Sequence, residues 1–266
     1  MSGALAITVD VDGEAGLPGG GLGYAHRLTS RSERVYGLRC GLPRILSLLD
    51  EFAVRATFYV PGVTALRHPQ EVAAIVEAGH ELGHHGHTHR RPDTLDDAEQ
   101  RAEIEQGLEA LSPFGPRPLG YRAPGWELTP VTLALLDEYG FRWDSSLMGE
   151  DRPYLAAGTL VELPVHWSLD DAPYYAASLD GGGILAVWQR AVELAAKEDR
   201  PVTLTLHPEI LGRPERAHVL REVLTAAARH DLAVHPHSEL AGLTQAAPES
   251  SVAPGGNVSS RYQSEP

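Results

Sequence analysis

The sequence holds a single cysteine, Cys40, among 266 residues. No internal disulfide can form, and a Cys-rich zinc module is excluded. Cys40 reads as a small packing residue. Basic residues are also scarce. Lys and Arg number 22 against 36 Asp and Glu, a formal net charge of −14. Gripping a phosphate backbone takes clustered cations, so nucleic acid is not an expected partner. No apolar run approaches the roughly 18 residues that signal a membrane span, so no membrane partner is expected. The opening residues, MSGALAITVDVDGE, lack a basic segment followed by a long apolar one. That pattern speaks against a secretory leader and for a cytoplasmic location.

What is present is enough apolar residue, 42% of the chain, to fill one large α/β domain or two small ones. Apolar runs at 4–9, 56–60, 81–83, 120–123, 141–145, 160–165, 201–206 and 232–235 read as strands. Between them, apolar residues at helical spacing predict helices over 42–52, 69–78, 95–111, 130–139, 184–197 and 215–230. Residues 14–40 are Gly-rich and then polar, and read as a long loop. Residues 244–266 are rich in Pro, Gly and Ser and read as a disordered tail. Strand and helix alternate seven or eight times, which favours a parallel sheet, doubly wound or closed as a barrel. About seven units in roughly 240 residues suit a (β/α) barrel.

In such a barrel, reacting groups gather at the C-terminal ends of the strands. The polar residues there are Asp10-Val11-Asp12-Gly13, then His84-His85-Gly86-His87-Thr88-His89, then Arg122-Ala123-Pro124-Gly125-Trp126. Asp144-Ser145-Ser146, His166-Trp167 and His207-Pro208 follow. Asp10 and Asp12 are two apart, so both can face one site. Two close carboxylates call for a cation nearby. His85 and His89 are four apart, the spacing at which two imidazoles on a helical turn bind one metal. Two His and one Asp make three ligands and leave a place for water, the mark of a catalytic zinc site. Five of the thirteen histidines fall between His80 and His89. His84 and Thr88 are candidates for holding the ligands, while His80 and His87 are surplus. Thr203, Thr205 and His207 share one face of their strand, and His207 suits a general acid. Trp126 and Trp167 follow strand ends and can line a pocket; Trp143 and Trp188 read as core.

These elements, in this order, resemble the polysaccharide deacetylase family with its NodB-type domain (carbohydrate esterase family four). The resemblance spans about residues 4–243. It rests on Asp10-Val11-Asp12-Gly13, His85 to His89, Arg122-Ala123-Pro124, Asp144-Ser145-Ser146 and Thr205-Leu206-His207. It implies a distorted (β/α) barrel with about seven parallel strands, so 1–243 is expected to be one deacetylase-like catalytic domain and 244–266 the tail. It implies a divalent metal, with zinc the first choice, on Asp12, His85 and His89. Asp10 would be the general base and His207 the general acid. Arg122 would orient the base, and a backbone N–H near Gly125 or Trp126 would receive the oxyanion. Members usually carry adjacent Asp-Asp before the Gly, whereas Val11 separates the two here.

The activity so implied is metal-dependent hydrolysis of a non-peptide C–N bond, as in deacetylation of N-acetyl sugars. The segment LVELPVHWSLDD (160–171) is similar to a branch with peptidoglycan deacetylase homologues and cyclic-imide hydrolases. Small cyclic imides or amides in the cytoplasm are therefore an alternative substrate. A non-catalytic metal- or sugar-binding module on the same fold is another. Such a module should lack part of the set of base, acid and three ligands, and all five candidates are present. A homo-oligomer is left open by the sequence.

Overall fold

The computed structural model describes residues 3–17, 26–178 and 180–245. Strand β1 (Ala4–Asp10) is buried at all seven positions, as expected of a parallel strand covered on both faces. It pairs in parallel with β2 (Thr57–Val60) and, on its other edge, with β8 (Pro201–Leu206). From β2 the sheet continues through β3 (Glu81–His84), β4 (Gly120–Tyr121), β5 (Trp143–Asp144) and β7 (Leu160–Glu162), all parallel. The short β6 (Tyr154–Ala157) is antiparallel to β7, and β9 (Ala233–Val234) pairs with the start of β1. The sheet order is β6-β7-β5-β4-β3-β2-β1-β8. A single parallel bridge from Thr205 to Asp170 continues it past β8. This is the expected α/β class, a curled and mostly parallel sheet.

Side-chain alternation divides each long strand into two faces. Leu5, Ile7 and Val9 of β1 and Val202, Leu204 and Leu206 of β8 pack outward against helix residues such as Leu42, Ile45, Leu49, Trp188 and Val223. Ala4 and Ala6 sit in another cluster with Trp143, Val161, Leu163, Leu240 and Ala241. Thr8 and Asp10 continue on the side of Ala4 and Ala6, and Thr203 and Thr205 stand opposite Leu204 and Leu206. The lower end is closed by the helix His237–Gln245. Its His237 bridges Tyr59 Oη (2.7 Å) and Thr203 Oγ1 (3.2 Å). The interior is thus apolar below and polar above, which puts chemistry at the upper rim.

The long loop expected over 14–40 is largely helical where it is described. Gly13–Gly16 is a 3-10 turn and Leu28–Tyr36 is an α-helix. That helix runs through a π-helical segment, Gly37–Gly41, directly into the helix Leu42–Glu51. Residues 18–25 lie outside the described residues. The helix Leu28–Tyr36 buries none of its residues, so no apolar stripe announces it. Its π-helical end matters because Gly37 and Gly41 lie against Pro208, Glu209 and Gly212, just past His207. A Cβ at Gly41 would run into the Pro208 carbonyl, backbone that cannot swing aside. Gly41→Ala is expected to lower stability by about 3 kcal/mol, read from urea unfolding.

The strand β6 and the helices Gly62–Arg67, Asp171–Ala177 and His237–Gln245 also lie outside the sequence expectations. Of the expected tail, 244 and 245 end the last helix, and 246–266 lie outside the described residues. Among the described residues, no helix is long and apolar enough to cross a membrane.

Candidate active site

Asp12, His85 and His89 meet at the upper rim. Asp12 Oδ1 lies 3.6 Å from His85 Nε2 and 3.3 Å from His89 Nε2. Ligand atoms about 2 Å from a zinc ion at tetrahedral angles stand about 3.3 Å apart. His85 Nδ1 is 2.8 Å from the Arg122 carbonyl. A carbonyl only accepts, so Nδ1 carries the proton and Nε2 offers a lone pair. Asp12 Oδ1 is buried and has no hydrogen-bond partner. An orphaned buried carboxylate oxygen facing two imidazoles fits a divalent cation. The two histidines do not meet on a helical turn. Residues 85–91 lack regular structure, and Gly86 (φ +69°) and His89 (φ +62°) take left-handed backbone to close the loop. Burial opposes charge on Asp12, but His89, His207 and His85 outweigh it and hold the carboxyl well below its usual range. Burial likewise opposes a proton on His89, and Asp12 more than compensates.

Asp10 lies beside this trio, with Oδ2 at 3.8 Å from His85 Nε2. Its other oxygen accepts from Arg122 Nη1 at 2.7 Å. Arg122 is fully buried, which a guanidinium tolerates only when its donors are used. Nη1 also reaches Thr8 Oγ1 (2.9 Å) and Thr205 Oγ1 (3.3 Å). Nε and Nη2 donate to the Ser145 carbonyl and hydroxyl, each at 3.0 Å. The Tyr59 ring covers the guanidinium at 4.3 Å.

His207 emerges from β8 with Nδ1 at 2.6 Å from Asp171 Oδ1, and its backbone N–H donates to Asp171 Oδ2 at 2.9 Å. Burial pulls the imidazole down, but Asp171 and Asp170 outweigh it and raise it well above its usual value. Asp170, Asp171 and His207 also lie close enough to suggest a metal cluster. Their hydrogen bonds argue otherwise. Asp171 is spent on His207, and Asp170 Oδ1 caps the Ala172 N–H at 2.8 Å.

At the mouth, Trp126 and Trp167 stack with ring centroids 4.5 Å apart and planes 23° apart. Trp126 is buried and Trp167 is 47% exposed. Trp126 holds a left-handed backbone (φ +58°), as does Gly125 (φ +64°). The Trp126 N–H is already given to the Ala123 carbonyl at 2.9 Å. Trp143 donates to Tyr59 Oη, and Trp188 is wholly buried, as core residues should be. His84 bonds the Ile104 carbonyl (3.0 Å) and accepts from the Gly86 N–H (3.1 Å). It braces the loop from below instead of touching His85 or His89 by hydrogen bond; burial pushes it down to about 3. Thr88 and the His87 N–H bond Glu103, so Thr88 steadies the loop and not an imidazole. His80 Nδ1 accepts from the Ala56 N–H at 3.3 Å.

Three residues of the site escape sequence reasoning. Asp171 carries the only cue, an Asp-Asp pair soon after an apolar run. Arg34 reaches in from the unexpected helix, pairs with Glu209 and lies 3.8 Å from Asp12 Oδ2. Glu209 is nearly buried and sits two residues past His207.

Comparison with known proteins bears on the fold and the family. The polysaccharide deacetylase family model matches residues 35–143. A peptidoglycan deacetylase of Helicobacter pylori is 27% identical, over 85% of this chain and 90% of its own. A crystal structure from Mycobacterium smegmatis, assigned to the polysaccharide deacetylases, is 39% identical. It covers 94% of this chain and 92% of its own, with a TM-score of 0.86. The Puue allantoinase superimposes with a TM-score of 0.80 at 23% identity, over 90% of this chain and 89% of its own, which speaks to the fold alone. With 39% identity sustained along nearly two whole chains, and with the family model matching around His85 and His89, the chain belongs to the polysaccharide deacetylase family.

Proposed function

We propose that the protein is a metal-dependent hydrolase that removes the acyl group from an N-acetylated sugar. The observation that carries this is the orphaned Asp12 Oδ1 facing the Nε2 atoms of His85 and His89. These three residues would hold the cation, for which zinc fits the mixed O and N donors. A bound zinc ion polarises a carbonyl and acidifies water. Asp10 receives the proton of the attacking water. Arg122 keeps Asp10 turned toward the site. The Gly125 N–H is the oxyanion donor, since that of Trp126 is spent on Ala123. His207 gives its proton to the departing nitrogen, which is too basic to leave as an anion. Asp171 holds the imidazole by Nδ1, so Nε2 is the end that delivers. Trp167 and Trp126 offer the flat face on which a sugar ring packs.

The test is hydrolysis of N-acetylglucosamine oligomers, with succinimide as the small cyclic imide for comparison. Turnover of the oligomers that disappears with a chelator and returns with zinc is expected. Turnover of succinimide alone would move the substrate class to cyclic imides. Hydrolysis of neither by zinc-loaded protein would sink the proposal.

Asp171→Asn tests the acid. The Asp171 charge raises His207, so its loss lowers that pKa. The alkaline limb of the kcat profile should move to lower pH, and kcat should fall roughly 10–100-fold. An unmoved limb would remove Asp171 from the mechanism.

A further inference from the structure

Two buried carboxyls in the sheet take no part in the chemistry proposed above. Asp144 ends β5 and Glu162 ends β7, and they are direct partners in the parallel register. Both are wholly buried. One oxygen of each is well used. Glu162 Oε1 accepts the N–H groups of Ser146 and Leu147, both at 3.0 Å. Asp144 Oδ1 accepts from Ser146 Oγ at 2.9 Å. The second oxygen of each, Asp144 Oδ2 and Glu162 Oε2, is buried with no partner. Two ionised carboxylates would set like charges side by side and leave both oxygens unpaired. One proton removes both defects, because it makes one oxygen a donor and the other its acceptor.

We propose that Asp144 and Glu162 share one proton, and that this acid pair is the positioning element for Arg122. The route is short. The pair pins Ser146 and Leu147 through three hydrogen bonds. Ser146 Oγ also accepts the Ala123 N–H at 2.9 Å, next to Arg122. Ser145, fixed between, supplies the two acceptors that hold Nε and Nη2 of the guanidinium. Its hydroxyl proton goes to the Leu163 carbonyl at 2.9 Å, one residue past Glu162. The edge of Arg122 turned away from Asp10 thus hangs on the turn that the pair holds.

Glu162 is the protonated member. Its Oε1 takes the two N–H groups, while its acidic Oε2 donates to Asp144 Oδ2. Asp144 remains the anion, with Arg122 as the cation facing it. Burial drives both carboxyls upward, Asp144 to about 6 and Glu162 well above the carboxylate range. The phenols of Tyr59 and Tyr121 also face Asp144, and burial keeps both neutral. The value of Arg122 to catalysis rests on the hydrolase reading above, but the proton and the geometry do not.

Two spectroscopic readouts on the full chain decide the matter without substrate. The infrared spectrum at neutral pH should hold the C=O stretch of a buried protonated carboxyl. Glu162→Gln should remove one such band in the difference spectrum against the parent, because an amide takes the place of the acid, whereas the buried Asp170, also pushed up to about 7, is common to both. In a nitrogen–proton correlation spectrum, the buried Arg122 Nε–H should give a slowly exchanging signal. Glu162→Gln should leave that signal in place, since the amide donates to Asp144 as the acid does. Glu162→Leu should shift it or abolish its protection. Ser146→Ala is a milder change that severs the same link, and it should shift the signal even if Glu162→Leu does not fold. No protonated-carboxyl band lost between the parent and Glu162→Gln, or an Arg122 signal unmoved by Ser146→Ala, would overturn the proposal.

Discussion

Asp12→Ala is expected to remove zinc binding and activity together. The carboxylate is one of the three proposed donor groups, and its Oδ1 stands within 3.6 Å of both imidazole nitrogens. Changing an outer partner of a metal ligand typically costs 10–100-fold in affinity or activity. Losing a ligand itself should cost more, at least about 10³-fold in kcat/KM. The two remaining histidines are not enough to hold zinc at low concentration. Calorimetric titration checks this directly. Thermal unfolding gives a second reading, because a ligand at about 100 times its Kd stabilises the fold by about 2.7 kcal/mol. Zinc should raise the parent Tm and leave that of Asp12→Ala unmoved. Asp12 also faces Arg34 through Oδ2, so Asp12→Asn is the fair control for shape. It keeps the size but lacks the charge and should bind zinc weakly. Parent-like zinc affinity in Asp12→Ala would remove Asp12 from the site.

Much of this site is legible in the sequence for one reason. A parallel strand buried on both faces is a continuous apolar run, and the polar residues that end it mark the rim. β1 is nearly such a run, β8 alternates apolar residues with Thr203 and Thr205, and the two deliver Asp10, Asp12 and His207. The face shared by Thr203, Thr205 and His207 follows from a period of two. His85 and His89 come together as their spacing suggests, but through left-handed backbone at Gly86 and His89 and not a helical turn. What is hidden depends on contacts between distant segments. The helix Leu28–Tyr36 buries nothing, so periodicity cannot find it, and Arg34 goes unseen with it. Asp171 is joined to His207 only by the fold, across 36 residues. The roles of Asp144 and Glu162 come from sheet register, which neither residue signals alone. His84 and Thr88 were within reach of the ligands by position, yet Ile104 and Glu103, on the helix Asp97–Leu111, claim them.

His207→Ala should keep zinc and lose turnover. The imidazole is not among the three donors around Asp12, so metal affinity should stay within about threefold, less than the change expected for an outer partner. General-acid catalysis contributes about 10²–10⁴-fold, and kcat for an acetamide should fall by that much. KM should change little, because the proton moves only as the C–N bond breaks. Alanine also takes the imidazole partner from Oδ1 of Asp171, a fully buried carboxylate, leaving only backbone donors. His207→Gln is therefore needed beside it. Its amide can reach Asp171 but cannot deliver a proton, so it should be as inactive as alanine while unfolding at a higher temperature. The sharpest measurement varies the leaving group. An activated aryl ester expels a weakly basic phenolate that needs no proton, whereas an amide nitrogen must be protonated to leave. The variants should hydrolyse the ester at near the parental rate and the amide hardly at all. An equal loss on both substrates would mean that His207 serves binding or water activation instead of the leaving nitrogen. Normal amide turnover in His207→Ala would end the assignment.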